Sequence, residues 1–212
     1  MKKDSDIEKE LAQTLIHNLT ESLFASGYFT EDDIKDKESH RLALKRVIED
    51  GGIDAMTIDY TQSLITKARN YKKSKEYDFS RICYATFFEH QINYLIHLYC
   101  LRNEINIKTQ TDIIQSVNIY GKFTWLLKLM QFPEFNNIHR KTIKSLADSR
   151  NSFVHYKWKE TPSFDKDFDD KKEQEKLDIE FDKIEKAVKY FKTYSSKIKY
   201  KGKKEHIKKI VK

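Results

Sequence analysis

A chain of 212 residues with 39% hydrophobic and 34% charged residues is long enough for one domain with a real core, or for one domain plus an appendage. Five glycines and two prolines, against plentiful Leu, Ile, Lys and Glu, disfavour a turn-rich β architecture and point to an all-α fold, while an aromatic content of 13% argues against wholesale disorder. The formal charge of +7 and a pI near 9.1 suit a polyanionic partner, nucleic acid before a membrane surface.

Residues 4 to about 26 predict the first helix, with an apolar stripe of Ile7, Leu11, Leu15, Leu19 and Leu23, acidic residues near its start and Gly27 as its stop. Thr30 followed by Glu31, Asp32 and Asp33 reads as an N-cap with an acidic first turn, opening a more polar helix to about Asp50. Gly51-Gly52 breaks the chain, and a third helix is expected over about 55–73. Residues 77 to about 102 are the most apolar stretch. Apolar residues occur all round it, so it should be a central, largely buried helix. Glu89, His90 and Asn93 interrupt it. Glu89 and Asn93 share one side by their i,i+4 spacing. They either bond a neighbouring helix, face solvent on a narrow strip, or line a polar cleft.

A helix over 111–131 follows, with Gly121 as a kink and Pro133 as its end. The next is expected over about 137–158. Pro162 and the charged run Asp165 to Lys172 read as an exposed connector, and a last helix is expected over about 176–198. The tail from Lys199 holds seven lysines and one glycine; a frayed, solvated terminus is its default, a phosphate-binding arm its functional reading. The organisation read from these signals is an N-terminal helical extension over 1–50, a bundle over 51–198 and a basic tail over 199–212.

Cys83 and Cys100 lie in the apolar stretch, as buried thiols would, rather than as a disulfide or metal pair. No run of 18 apolar residues exists and the first residues lack the apolar core of a signal peptide, so a soluble, cytoplasmic protein with no membrane role is expected. The absence of a phosphate-binding glycine loop, Cys-x-x-Cys, His-Glu-x-x-His and Gly-x-Ser-x-Gly argues against nucleotide-fold, zinc-hydrolase and serine-hydrolase chemistry. No cofactor or metal is expected.

The most informative stretch is Ser149-Arg150-Asn151-Ser152-Phe153-Val154-His155-Tyr156, late in an amphipathic helix whose stripe is Ile143, Leu146, Ala147, Phe153 and Val154. An imidazole can move a proton between a ribose 2′-hydroxyl, the scissile phosphate and the leaving oxygen near neutral pH. A guanidinium can stabilise the charge that builds on the phosphate. Arg150 and His155 are five residues apart, about 140° around an ideal helix. They meet one ligand only through the reach of Arg150, or across an interface with a second helix.

Arg150-Asn151-Ser152-Phe153-Val154-His155 resembles the hallmark of HEPN domains, an Arg, a polar residue and then a His on a late helix of an all-α bundle. The upstream stretch Ala85 to Asn93, with Glu89, resembles their polar-bearing apolar helix, and the resemblance covers about residues 55–198. It implies a HEPN-type helical bundle with extra N-terminal helices. It further implies a metal-independent endoribonuclease, a toxin or anti-phage defence effector that cleaves RNA at a composite site in a homodimer. His155 would be the general acid or base or orient the 2′-hydroxyl, Arg150 would hold the scissile phosphate, Asn151 would position the substrate or the His of the second protomer, and Glu89 would orient Arg150 or His155. An antitoxin or defence-system protein would be a further partner. The alternatives are a non-catalytic HEPN-type module that binds RNA, nucleotide or a protein, and a plain structural or adaptor bundle, which would hold Arg150 in an ordinary ion pair, for instance with Asp148 or Glu89. One position departs from the toxin pattern: the Tyr expected two residues after the His is Lys157, with the tyrosine at Tyr156.

Overall fold

The computed structural model describes residues 4–50, 61–154 and 170–211, and all regular structure among them is helical. The all-α expectation is met. Helix α1 spans Asp4–Ser26, α2 Lys37–Glu49, α3 Thr61–Lys73, α4 Tyr77–Arg102 and α5 Ile107–Ser116. Helix α6 covers residues 119–129 and has three parts: α-helical Ile119–Gly121, a π turn over Lys122–Leu126, and α-helical Leu127–Leu129. Helix α7 spans Asn137–Val154, α8 Asp170–Tyr200 and α9 Lys204–Val211. No helix among the described residues is long and apolar enough to cross a membrane. The Gly51-Gly52 break, the connector at Pro162 and residues 155–158 of the motif helix lie outside the described residues.

The chain divides into two compact units. The first takes Met1–Ile58, Leu95–Gln110 and Tyr194–Lys212; the second takes Asp59–Tyr94 and Thr111–Thr193.

In the first unit α1 ends where expected, at Gly27, whose φ of +87° is open to a residue without Cβ. The stripe on α1 is only half used. Leu23 is buried and Leu19 partly so, whereas Ile7, Leu11 and Leu15 are 51%, 70% and 60% exposed. The cap expected at Thr30 shifts: its backbone N–H and hydroxyl donate to Asp33 Oδ2 at 2.8 Å each, and the N-cap position of the turn falls on Glu31, without a side-chain cap bond. It opens only a 3-10 turn over Asp32–Ile34, however. The helix proper restarts one cap later, where Asp36 accepts from the Ser39 backbone N–H at 2.8 Å.

The tail is not frayed. Ile207, Ile210 and Val211 fall at i, i+3 and i+4, and they pack with Leu23, Phe24, Phe29, Ile34, Ala43 and Val47 in one apolar cluster. Each buried isoleucine contributes about 1.5–3 kcal/mol, enough to hold a two-turn helix that lysine content alone would leave in water. The His206 ring nitrogen bonds the Ile34 carbonyl at 2.7 Å, and Lys203 pairs with Glu31 at 3.0 Å. Arg102, at the end of α4, donates to the carbonyls of Ala25, Ile198 and Lys199.

The second unit is built on aromatic rings. Phe123, Phe135 and Phe191 meet edge to face with centroids 4.9–5.4 Å apart, and Phe88 stacks on Phe191. Helices α3, α4 and α8 are tied by polar bonds at the edge of this core. Glu185 of α8 accepts two bonds from Arg69 of α3 and one from the hydroxyl of fully buried Tyr84 of α4. Arg81 of α4 forms a forked pair with Glu180 of α8, and Ser80 donates to the Ala68 carbonyl at 2.8 Å. Helix α8 begins at Asp170, six residues before the expected start. Residues 171–176, charged except for Gln174, keep helical geometry on an exposed face, with Lys176 and Glu173 paired at i,i+3. Cys100 is buried, Cys83 is half-buried and both are free thiols.

Glu185→Leu leaves the Tyr84 hydroxyl without an acceptor in the core, so it should cost about 1–3 kcal/mol in urea unfolding, and the loss should shrink when Tyr84→Phe is added. His40 supplies a pH test. Its Nε2 lies 2.8 Å from the Thr20 hydroxyl, whose proton goes to the Ile16 carbonyl at 2.7 Å, so the ring donates through Nε2. Burial lowers the pKa of this ring. The unfolded chain therefore takes up the proton first as pH falls. The stabilisation is complete above about pH 6.5, the unfolded value, and is lost as pH falls below it toward the folded value. The fall in thermal stability between pH 7 and 5.5 should be smaller in His40→Gln.

Candidate functional site

Helix α4 carries Glu89 and Asn93 one turn apart on a single face, as their spacing requires. Each is met by a different helix of the second unit. The Arg150 guanidinium of α7 donates through Nη1 to the Glu89 carboxylate. Its Nη2 donates to the Oδ1 of the next residue, Asn151, at 3.3 Å. Lys122 of α6 donates through Nζ to Asn93 Oδ1 at 2.8 Å. Of the expected settings for Glu89 and Asn93, bonding to other helices is what the structure shows, and one of those helices carries the Arg150 motif.

Burial grades the cluster. Lys122 is 2% exposed, the Glu89 and Arg150 side chains are 31% and 27% exposed, and Asn151 is exposed. The lysine is thus buried, the ion pair partly open and the Asn151 amide exposed. Burial lowers the Lys122 pKa first; the Glu89 charge opposes that shift and the Arg150 charge adds to it. The order of these causes fits a lysine whose direct partner is an amide rather than a carboxylate.

The local structure of α6 explains how a lysine reaches that depth. Asn118 caps the segment by accepting from the Gly121 N–H at 2.8 Å. A Cβ at Gly121 would lie 2.9 Å from Trp125 Nε1 and 2.9 Å from Val117 Cγ1, so a side chain at this turn would force one of these neighbours to move. The kink expected at Gly121 is resolved into a break at Val117-Asn118 and a π turn that starts immediately after the glycine. A π turn carries an additional residue relative to α geometry and is frequent at functional sites.

Beside the motif, Phe153 meets Phe79 edge to face at 5.7 Å, and Phe79 lies 5.5 Å from Tyr71; Phe79 and Phe153 are 47% and 46% exposed. Among the sequence-expected site residues, Arg150, Asn151 and Glu89 come together. His155 lies outside the described residues. Lys122 is the member that sequence reading missed. Its signal was a lysine directly after Gly121, in a run where neighbours Phe123, Leu126 and Leu127 are core residues.

Scans against family models, characterised proteins and solved structures give no match to this chain.

The Arg150–Glu89 pair is partly open to solvent, so its mutual stabilisation should be modest. A double-mutant cycle of Arg150→Ala and Glu89→Ala, followed by chemical unfolding, should return a coupling of about 1 kcal/mol. A coupling near zero would show that the two groups do not hold each other in solution.

Proposed function

We propose that the chain is a metal-independent endoribonuclease of HEPN type, acting as a toxin or anti-phage defence effector at a composite site in a homodimer. The observation that carries this reading is the meeting of Arg150 and Asn151, the first two motif residues, with Glu89 of the apolar helix in one partly open charged cluster. The motif resemblance supplies His155 as the third member.

The chemistry follows from residue types. The His155 imidazole of one protomer removes the proton from a ribose 2′-hydroxyl, whose oxygen attacks the adjacent phosphorus. Negative charge grows on the non-bridging oxygens, where the Arg150 guanidinium stabilises it. The bond to the 5′-oxygen breaks, and that oxygen leaves with a proton from an imidazolium, the second His155 of the dimer being suited to supply it. The products are a 2′,3′-cyclic phosphate and a 5′-hydroxyl. Asn151 holds the strand by its amide. Glu89 orients the Arg150 guanidinium until the phosphate arrives.

One observation favours a non-catalytic reading, as a HEPN-type module binding RNA, nucleotide or a partner protein or as a plain structural bundle: the Arg150 guanidinium is already engaged by Glu89 and Asn151.

Cleavage of total tRNA and of an unstructured RNA in EDTA separates the two. Wild type should cut, His155→Ala and Arg150→Ala should each be at least about a hundredfold slower, and the fragments should end in 2′,3′-cyclic phosphate. RNA binding that persists in His155→Ala, with no cleavage by wild type, would support the module instead.

A further inference from the structure

The charge count at the candidate site is odd. Among the described residues of the cluster, Lys122 and Arg150 bring two positive charges and Glu89 brings one negative. The Arg150–Glu89 pair is neutral by itself, and Lys122 is paired with an amide oxygen. A lysine that is 2% exposed, without a carboxylate in hydrogen-bond contact, is an expensive arrangement that an apolar side chain of similar length would avoid. Such a charge is compensated when an anion arrives. The exposure gradient sets where it arrives. Arg150 and Glu89 are each open by about a quarter to a third, whereas Lys122 is buried. Low polarizability around Lys122 lets its field act on the neighbouring groups more strongly than a surface lysine would.

We propose that Lys122 is the inner cation of a phosphodiester-binding site and that Glu89 is a placeholder carboxylate, which a backbone phosphate displaces from Arg150. Two further features support this. Arg150 donates to the Glu89 carboxylate through Nη1 and to Asn151 Oδ1 through Nη2, so both terminal nitrogens already face oxygen acceptors, the atoms that a phosphate offers. Asn93 accepts from Lys122 through its carbonyl oxygen, which leaves its amide hydrogens as donors on the same face of α4 as Glu89. Lys122 is a positioning residue in this scheme. It acts through the field on Glu89 and Arg150 and through the orientation of Asn93, and it need not touch the strand. The identity of the anion as an RNA phosphodiester rests on the ribonuclease reading; the placeholder exchange does not require cleavage.

The test measures binding alone. A fluorescein-labelled 12-nucleotide 2′-O-methyl RNA lacks the attacking hydroxyl and cannot be cut by the proposed route. Its affinity for the full chain is read by anisotropy in EDTA at fixed salt. Lys122→Met, which keeps length and packing while removing charge, should bind about tenfold more weakly than wild type. Glu89→Gln should bind at least about threefold more tightly, because the placeholder loses its charge. The double variant should return toward the wild-type affinity, since it restores the net charge of the cluster; a merely structural role for Lys122 would not produce that recovery. Lys122→Met should unfold at or above the wild-type temperature, so weak binding is separable from misfolding. Unchanged binding by a folded Lys122→Met, no tightening by Glu89→Gln, or no binding by wild type would overturn the proposal. A wild type that binds the probe as described but cuts no RNA sinks the ribonuclease reading and leaves this one standing. A wild type that cuts RNA while Lys122→Met binds normally does the reverse.

Discussion

A single carboxylate, Glu185, is where three helices of the second unit are held to one geometry. Its oxygens take the fork of Arg69 from α3 and the hydroxyl of Tyr84 from α4, while its own helix, α8, carries Phe181 and Phe191 into the core. The Arg69 bonds hold the Glu185 pKa below the usual carboxylate range, and burial together with Glu185 raises that of the Tyr84 hydroxyl. The phenol therefore stays a donor and the carboxylate an acceptor across the pH range of cells. Apolar contacts would bring these helices together in many rotations. A fork and a phenol that must both reach one carboxylate admit very few. Because α4 is fixed in this way, its face bearing Glu89 and Asn93 is fixed as well.

That fixed face then organises charges which a bundle of this composition would otherwise leave in water. Glu89 draws in the Arg150 guanidinium, and Asn93 draws in the Lys122 ammonium. The two cations come from helices that the chain separates by an aromatic turn around Phe135, itself packed on Phe123 and Phe191. The cluster is thus a product of the aromatic core as much as of the motif. It joins a partly open ion pair to a closed-off lysine, and the imbalance between them is the main electrostatic asymmetry of the site.

The helices whose apolar pattern is long and regular were legible in the sequence: α1 and α4 run over the expected residues, and Gly27 stops α1. Other boundaries had no local sign. Lys75, Glu104 and Gln131 close α3, α4 and the α6 segment with positive φ, where glycine would ordinarily mark the stop. Their conformations are offset by bonds that reach back into the helix, such as Phe132 N–H to the Leu127 carbonyl at 2.9 Å, and these are invisible in composition. Helix α9 was hidden because six lysines from Lys199 to Lys209 mask three apolar residues, and their burial depends on a core built by residues far earlier in the chain. In the site, Arg150, Asn151 and Glu89 were legible through spacing on one helix or through the motif. Lys122 was not, because its depth depends on a π turn and on Asn93, a residue 29 positions away.

The π turn in α6 also works as a length gauge. Five residues, Lys122–Leu126, fill a turn between a capped start at Asn118 and an end fixed where the Phe132 N–H closes onto Leu127. Removing one residue there would let the segment relax to α geometry and would swing the residues before the turn by about 100° relative to those after it. Either Lys122 would leave Asn93, or Phe123 would leave the aromatic core. Insertions and deletions are therefore far less tolerable in this short stretch than its modest length suggests, and a chain that keeps the lysine must also keep the count.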